Sequence, residues 1–184
     1  MTDNNKTHAS SILELRRNAN MLNLCSEYSQ KWDNATDFKK MMDMALDAKG
    51  IEFVAASTNT SWGITTEYLA SNFSDYINGK YVSKQQGYTS ECYAGYDKDI
   101  TVRTTLLLVI DFCGKIVVPV YAMCNIYLDS NCTDIEIELG DNSSAQVFVF
   151  GNRTKPKFSG DAARSRIYGM DKKKERLAWT KRRR

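Results

Sequence analysis

The chain has 184 residues, 42% hydrophobic and 11% aromatic, with a formal net charge of +3. That is enough apolar material for one packed domain and too much for a wholly disordered chain. The charge is uneven: residues 1–152 hold 12 Lys/Arg against 19 Asp/Glu, and residues 153–184 hold 13 against 3.

An acidic body therefore leads into a basic end, and only that end is built to meet polyanions. The longest apolar region, Leu106 to Met123, is interrupted by Asp111, Gly114 and Lys115. It is too short and too charged to span a bilayer. Met1 to Ser11 is polar, so no secretory signal is expected. Five cysteines show no pairing pattern, and without a signal they read as reduced thiols in a cytoplasm. Triplets such as Asn72-Phe73-Ser74 then carry no meaning for glycosylation.

Taken in order, the chain first predicts helices. Ser11 with Glu14 has capping-box spacing, and Ile12, Leu13, Leu15, Ala19, Leu22 and Leu24 form a helical stripe. After Trp32 and Asp33, a second helix is predicted from Thr36 to a stop at Gly50, with Ile51 to Ala56 as a helical turn. A third is predicted from Thr65 to Asn78-Gly79, lined by Tyr68, Leu69, Phe73, Tyr76 and Ile77. Beyond Gly79 the texture becomes extended: Lys80 to Val82, Tyr88 to Tyr96, a turn at Asp97 to Asp99, then Ile100 to Thr105.

From Leu106 onward, short apolar runs recur behind polar breaks. They start at Leu106, Lys115, Asn125, Asp134 and Ala145 and are rich in β-branched and aromatic residues, which is strand chemistry. The breaks carry Cys-Gly, Asp-Ser-Asn and Gly-Asp-Asn-Ser-Ser, which is turn chemistry. The steady step of 9 to 11 residues suits one face of a β-solenoid plus a corner. A meander of antiparallel strands fits the same rhythm, and the solenoid is the preferred reading. Pro119 cannot donate to a ladder and predicts a corner or an edge. Asp134 to Leu139 alternates, which predicts a wall with one wet side.

The fold class expected is therefore α+β. A helical region (1–80) caps a small solenoid-like region of short strands (81–152), and a flexible basic tail (153–184) follows.

A resemblance enters at this point. The order Leu24-Cys25, Lys31-Trp32-Asp33, Glu67-Tyr68-Leu69-Ala70 with Phe73, Tyr76-Ile77-Asn78-Gly79-Lys80-Tyr81-Val82, Gly87-Tyr88-Thr89-Ser90, Tyr93 and Thr104-Thr105-Leu106-Leu107 resembles small uncharacterised proteins of gut bacteriophages and integrated phage-like elements. The likeness covers about residues 20–152 and leaves out the basic end. It implies a phage-associated origin and a helix-then-β plan, and no mechanism.

Candidate chemistry is sparse. The single histidine, His8, stands in the polar N-terminal stretch, where it reads as a solvated residue. There is no phosphate loop, dinucleotide fingerprint or His-Glu-x-x-His sequence. Cys25, Cys92, Cys113, Cys124 and Cys132 lack zinc-knuckle spacing; Cys113, Cys124 and Cys132 read as small buried residues on successive rungs, and Cys25 as core. Asp134, Glu136 and Glu138 form the best acidic cluster, with Asp129 and Asp141 at nearby turns. It reads as a solvated face, a cation site completed by turn residues, a carboxylate pair for glycoside hydrolysis, or a dock for the basic tail. Trp62, Tyr81, Tyr88, Tyr93 and Tyr96 make an aromatic zone that either stacks on a ligand or bridges helices to the sheet.

The expected function is that of a non-enzymatic, phage-associated interaction protein, with no cofactor and no metal. Its acidic body meets a protein partner or a second copy. Its basic end meets nucleic acid through Lys172, Lys173, Lys174, Arg176, Lys181, Arg182, Arg183 and Arg184, with Trp179 stacking on a base. The alternative is a small-ligand or carbohydrate-binding module using Trp62, Tyr88, Tyr93 and Tyr96 or the acidic face. A carboxylate-dependent hydrolase is a third reading. Host-cell cytoplasm or virion is the expected location.

Overall fold

The structure, a computed structural model, describes residues 30, 31, 34, 37–48, 50–57, 80–151 and 155–170. Those residues form two short helices, α1 (Phe38–Ala45) and α2 (Ile51–Ser57). Ten strands follow: β1 (Lys80–Gln85), β2 (Tyr88–Ala94), β3 (Ile100–Thr101), β4 (Leu106–Ile110), β5 (Cys113–Val118), β6 (Met123–Leu128), β7 (Thr133–Leu139), β8 (Ser144–Phe150), β9 (Lys157–Gly160) and β10 (Arg166–Met170).

The chain winds as a β-solenoid-like coil of about 4 turns. One sheet has the order β1-β2-β4-β6-β8-β10, and the second has the order β3-β5-β7-β9. From β2 on, every pairing within each sheet is parallel, each strand meeting the strand one coil away. A meander would pair successive strands antiparallel, so the solenoid holds. Successive partners such as Leu106, Asn125, Gln146 and Arg166 stand in one ladder, and two sequence steps therefore make one coil.

The apolar pattern explains the layers. Leu107, Val109, Ile126, Leu128, Val147 and Val149 of the first sheet face Ile116, Val118, Ile135, Ile137 and Leu139 of the second in one buried core. On its other face the first sheet turns Cys92, Ala94, Leu106, Leu108, Ile110, Tyr127 and Phe150 towards Met41, Met42, Ala45, Leu46, Ile51, Val54 and Ala55 of the helical segment. A strand covered on both faces needs an unbroken apolar run, and Leu106–Ile110 is buried at every position. The second sheet has one wet face, and from Ile135 to Leu139 the burial of β7 alternates.

Several expectations change in detail. The helix predicted from Thr36 to Gly50 stops at Ala45, and α2 begins at Ile51. Asp47 causes the break, because its Oδ1 accepts the Gly50 N–H at 2.6 Å and its carbonyl accepts the Ile51 N–H at 3.0 Å. Asp37 caps α1, accepting the Lys40 N–H at 2.9 Å.

The described helices lie along the outer face of the first sheet, and the strand at that sheet's N-terminal edge is β1, paired antiparallel with β2. Pro119 stands at a corner directly after β5, as expected. The stretch from 153 on, expected as a flexible tail, contributes β9 and β10 to the two sheets. Coil register places these two strands in the sheets, within a stretch otherwise rich in charged residues. The predicted helices from Ser11 and from Thr65 lie outside the described residues.

Candidate interaction surface

The acidic strand face is a structural ladder. Lys115, Glu136 and Lys157 stand in register on three successive strands, so charge alternates from coil to coil. Lys115 Nζ lies 2.8 Å from Glu138 Oε2 and 3.8 Å from Glu136 Oε1, and Ser159 Oγ donates to Glu136 Oε1 at 2.8 Å. Asp134 leaves the predicted face altogether. Cys113 and Gly114 pair with Thr133 and Ile135, so Asp134 is the extra residue of a bulge, at φ +48°. Among the described residues, no three of His, Cys, Asp and Glu are placed to hold a metal ion.

The tyrosines join elements. Tyr93 is 4% exposed in the inner core, with its ring centroid 4.9 Å from that of Tyr96 and Lys80 Nζ 5.1 Å above it. Tyr88, partly buried against the helices, accepts the Ala48 N–H at 2.9 Å. Tyr81 OH lies 3.1 Å from Asp43 Oδ1 and 3.3 Å from the Lys39 carbonyl. Burial, and then the Asp43 carboxylate, pushes its phenol well above the usual range. Trp62, His8, Cys25 and the basic positions Lys172, Lys173, Lys174, Arg176, Trp179, Lys181, Arg182, Arg183 and Arg184 lie outside the described residues.

The coil corners hold a second set of polar groups. Asp129 is fully buried, and its Oδ1 accepts the N–H groups of Asp111 (3.0 Å), Asn131 (3.2 Å) and Cys132 (3.1 Å). The Cys132 thiol donates to the same oxygen at 3.2 Å. Burial raises the Asp129 carboxyl above its ordinary value, although these bonds act in the opposite sense. This arrangement fastens one corner to the corner before it.

Among the described residues, the surface left open is the final rung, β10. Strand β10 pairs with β8 and has no second strand neighbour among the described residues. Its residues alternate between the two faces of the sheet. Ile167 is in register with Val147 of the inner core, and Tyr168 with Phe148 of the outer face. Both are 41% exposed.

Tyr127, Phe148 and Tyr168 form one stack across three strands, with centroids 4.9 and 5.2 Å apart and rings tilted by only 14° and 17°. Beside it runs a polar ladder of Asn125, Gln146 and Arg166. An edge strand with apolar side chains on both faces and no lysine or proline is a template for further pairing. The opposite edge, β1, carries Lys80 and Lys84 and is tied to α1 through Tyr81 and Gln85.

Reading the sequence by composition missed this strand. The signal was the coil period itself, since Arg166 follows Gln146 at nearly the spacing by which Gln146 follows Asn125. Comparison with known proteins finds no match: no family model, no curated protein and no solved structure matches the chain.

Proposed function

We propose that the chain is a non-enzymatic interaction protein whose last rung accepts a protein strand, with its basic segment contacting nucleic acid. The observation that carries the reading is β10. Among the described residues it has a strand on one side only, with Ile167 and Tyr168 half-exposed on opposite faces. Strand addition draws affinity from main-chain hydrogen bonds and specificity from alternate side chains, and this edge offers both. The phage-associated origin is the family resemblance carried forward. The basic segment adds phosphate contacts, with 13 Lys/Arg against 3 Asp/Glu over residues 153–184.

Two measurements test the halves separately. A fluorescent peptide copying residues 163–171 binds the full chain saturably, and Ile167→Lys in the chain abolishes that binding. No binding to the unaltered chain removes the edge reading. For the nucleic-acid half, gel shift with duplex DNA weakens steeply with salt and is lost on removing residues 171–184. Equal binding at low and high salt counts against it.

A second reading is favoured by one observation. The polar ladder Asn125–Gln146–Arg166 lies beside the Tyr168 ring on the same outer face, a pairing suited to a sugar. Thermal shift by oligosaccharides, lost in Gln146→Ala, is its measurement.

A further inference from the structure

We infer that the strand accepted by β10 is the β10 of a second copy of this chain, added antiparallel across a two-fold axis at Tyr168. This rests on the edge reading above and names its partner.

Self-complementarity carries the inference. In an antiparallel pair centred on Tyr168, Arg166 stands opposite Met170 of the second copy, and Ile167 stands opposite its Gly169. No like charges are opposed. Directly opposite residues share a face, so the half-exposed Ile167 lies over a glycine. A Cβ built at Gly169 meets nothing within 4 Å, so the space that Ile167 of the second copy needs is open. The same operation sets Tyr168 against Tyr168 and prolongs the stack that, among the described residues, ends there.

The inner core gains as well. Ile167 faces the side on which, among the described residues, the second sheet supplies strands only as far as β9, and a second copy sets its own Ile167 diagonally beside it on the same face. A head-to-tail chain is disfavoured, because the other edge carries Lys80 and Lys84. The contact is isologous and closes as a dimer.

Sedimentation velocity of the full chain across a wide concentration range tests this. The expected result is a monomer–dimer equilibrium. Gly169→Val fills the space opposite Ile167 and raises the dimer dissociation constant at least about tenfold. It does not lower the melting temperature of the dilute monomer, since the Cβ it adds meets nothing within 4 Å in one copy and valine suits a strand better than glycine. Ile167→Lys gives the same loss through an inward-pointing charge.

In a Cys113→Ser background, Tyr168→Cys joins two chains by a disulfide under mild oxidant, because the axis sets that position opposite itself. A chain that stays monomeric at every concentration overturns the inference, as does a dimer indifferent to both Gly169→Val and Ile167→Lys. A monomeric chain that still binds the 163–171 peptide sinks the second copy and keeps the strand-edge reading. A chain that does neither sinks both.

Discussion

Asp129 holds the corner of the preceding coil: its Oδ1 accepts the backbone N–H of Asp111 at 3.0 Å, where Asp111 sits at φ +49°. The device recurs. Asp161 Oδ2 accepts the Asn142 N–H at 3.0 Å, and Ser165 Oγ accepts the buried Ala145 N–H at 3.0 Å. At and beside the corners the strand ladder is incomplete, and side chains from the next coil supply some of the acceptors. Asp129→Ala leaves the N–H groups of Asp111, Asn131 and Cys132 without this oxygen. The expected loss is about 2–4 kcal/mol: the buried Cys132 N–H costs roughly 1–3, and the part-buried Asp111 and Asn131 N–H groups less, since water reaches them. Asp129→Asn keeps the acceptor and costs less. Urea unfolding of the two variants gives the comparison.

The same carboxyl makes stability depend on pH. Burial is the largest influence on it and raises it above 3.8, while the bonds from Asp111, Cys132 and Asn131 lower it by less. Between 3.8 and the raised value, the folded chain holds a proton that the unfolded chain has released. The favourable contribution is therefore full below 3.8 and is lost as pH rises through the raised value. Subtracting the Asp129→Asn unfolding free energy from that of the natural chain isolates this group. The difference falls with rising pH across that window and is flat above it.

The solenoid was legible because its physics is periodic. Leu106–Ile110 is uniformly apolar because both its faces are covered, and Ile135–Leu139 alternates because one face is wet. Strands β9 and β10 were not legible by composition. Lys157 and Arg166 are polar, and what places them is register with Glu136 and Gln146 one coil away. The bulge at Asp134 was hidden for a similar reason, since it depends on which residues Cys113 and Gly114 meet across the sheet. The edge followed from β10 and so was missed with it. The tyrosines were legible as either ligand or core, and only contacts such as Tyr88 with the Ala48 N–H show which elements they join.

Thiol reactivity separates surface from interior. Cys113, expected to be buried, is exposed because it opens β5 at the bulge opposite Thr133 and Ile135, whereas Cys92, Cys124 and Cys132 are buried. Burial pushes the Cys92 and Cys124 thiols up to about 12, and Cys132 is raised by burial and by Asp129. A thiolate is the reactive form, so these three stay silent at pH 8. Iodoacetamide labelling followed by peptide mass spectrometry finds Cys113 modified in the native chain, and the other three only after denaturation. Native labelling of Cys124 at the rate of Cys113 would contradict the inner core.

Gly160 is a point of close approach between adjacent coils. It pairs with Leu139, has φ +77°, and any Cβ there runs into the Leu139 carbonyl oxygen. Gly160→Ala combines left-handed strain with a backbone clash, and the expected cost is about 3 kcal/mol. Gly87 is the control. It has φ +89° but open space around its Cβ, so Gly87→Ala meets only the conformational strain and costs less, about 1 kcal/mol. Thermal melts of the pair show whether close approach or backbone geometry dominates at Gly160.

Tyr121 offers the opposite sign. It sits at a corner with φ +62° and is 75% exposed, next to Val120 and with Met123 two positions on, which are 53% and 72% exposed. Its N–H donates to the Asp141 carbonyl at 3.1 Å, and Asn142, at φ +57°, occupies the corresponding corner one coil later. A bulky aromatic is an expensive occupant of left-handed backbone, whereas Asn tolerates it. An exposed ring recovers little of that cost by packing. Tyr121→Asn is therefore expected to stabilise the fold by about 0.5–1 kcal/mol, seen as a higher urea midpoint with an unchanged slope. A destabilisation of that size would mean that the Tyr121 ring makes contacts that hold the corner together.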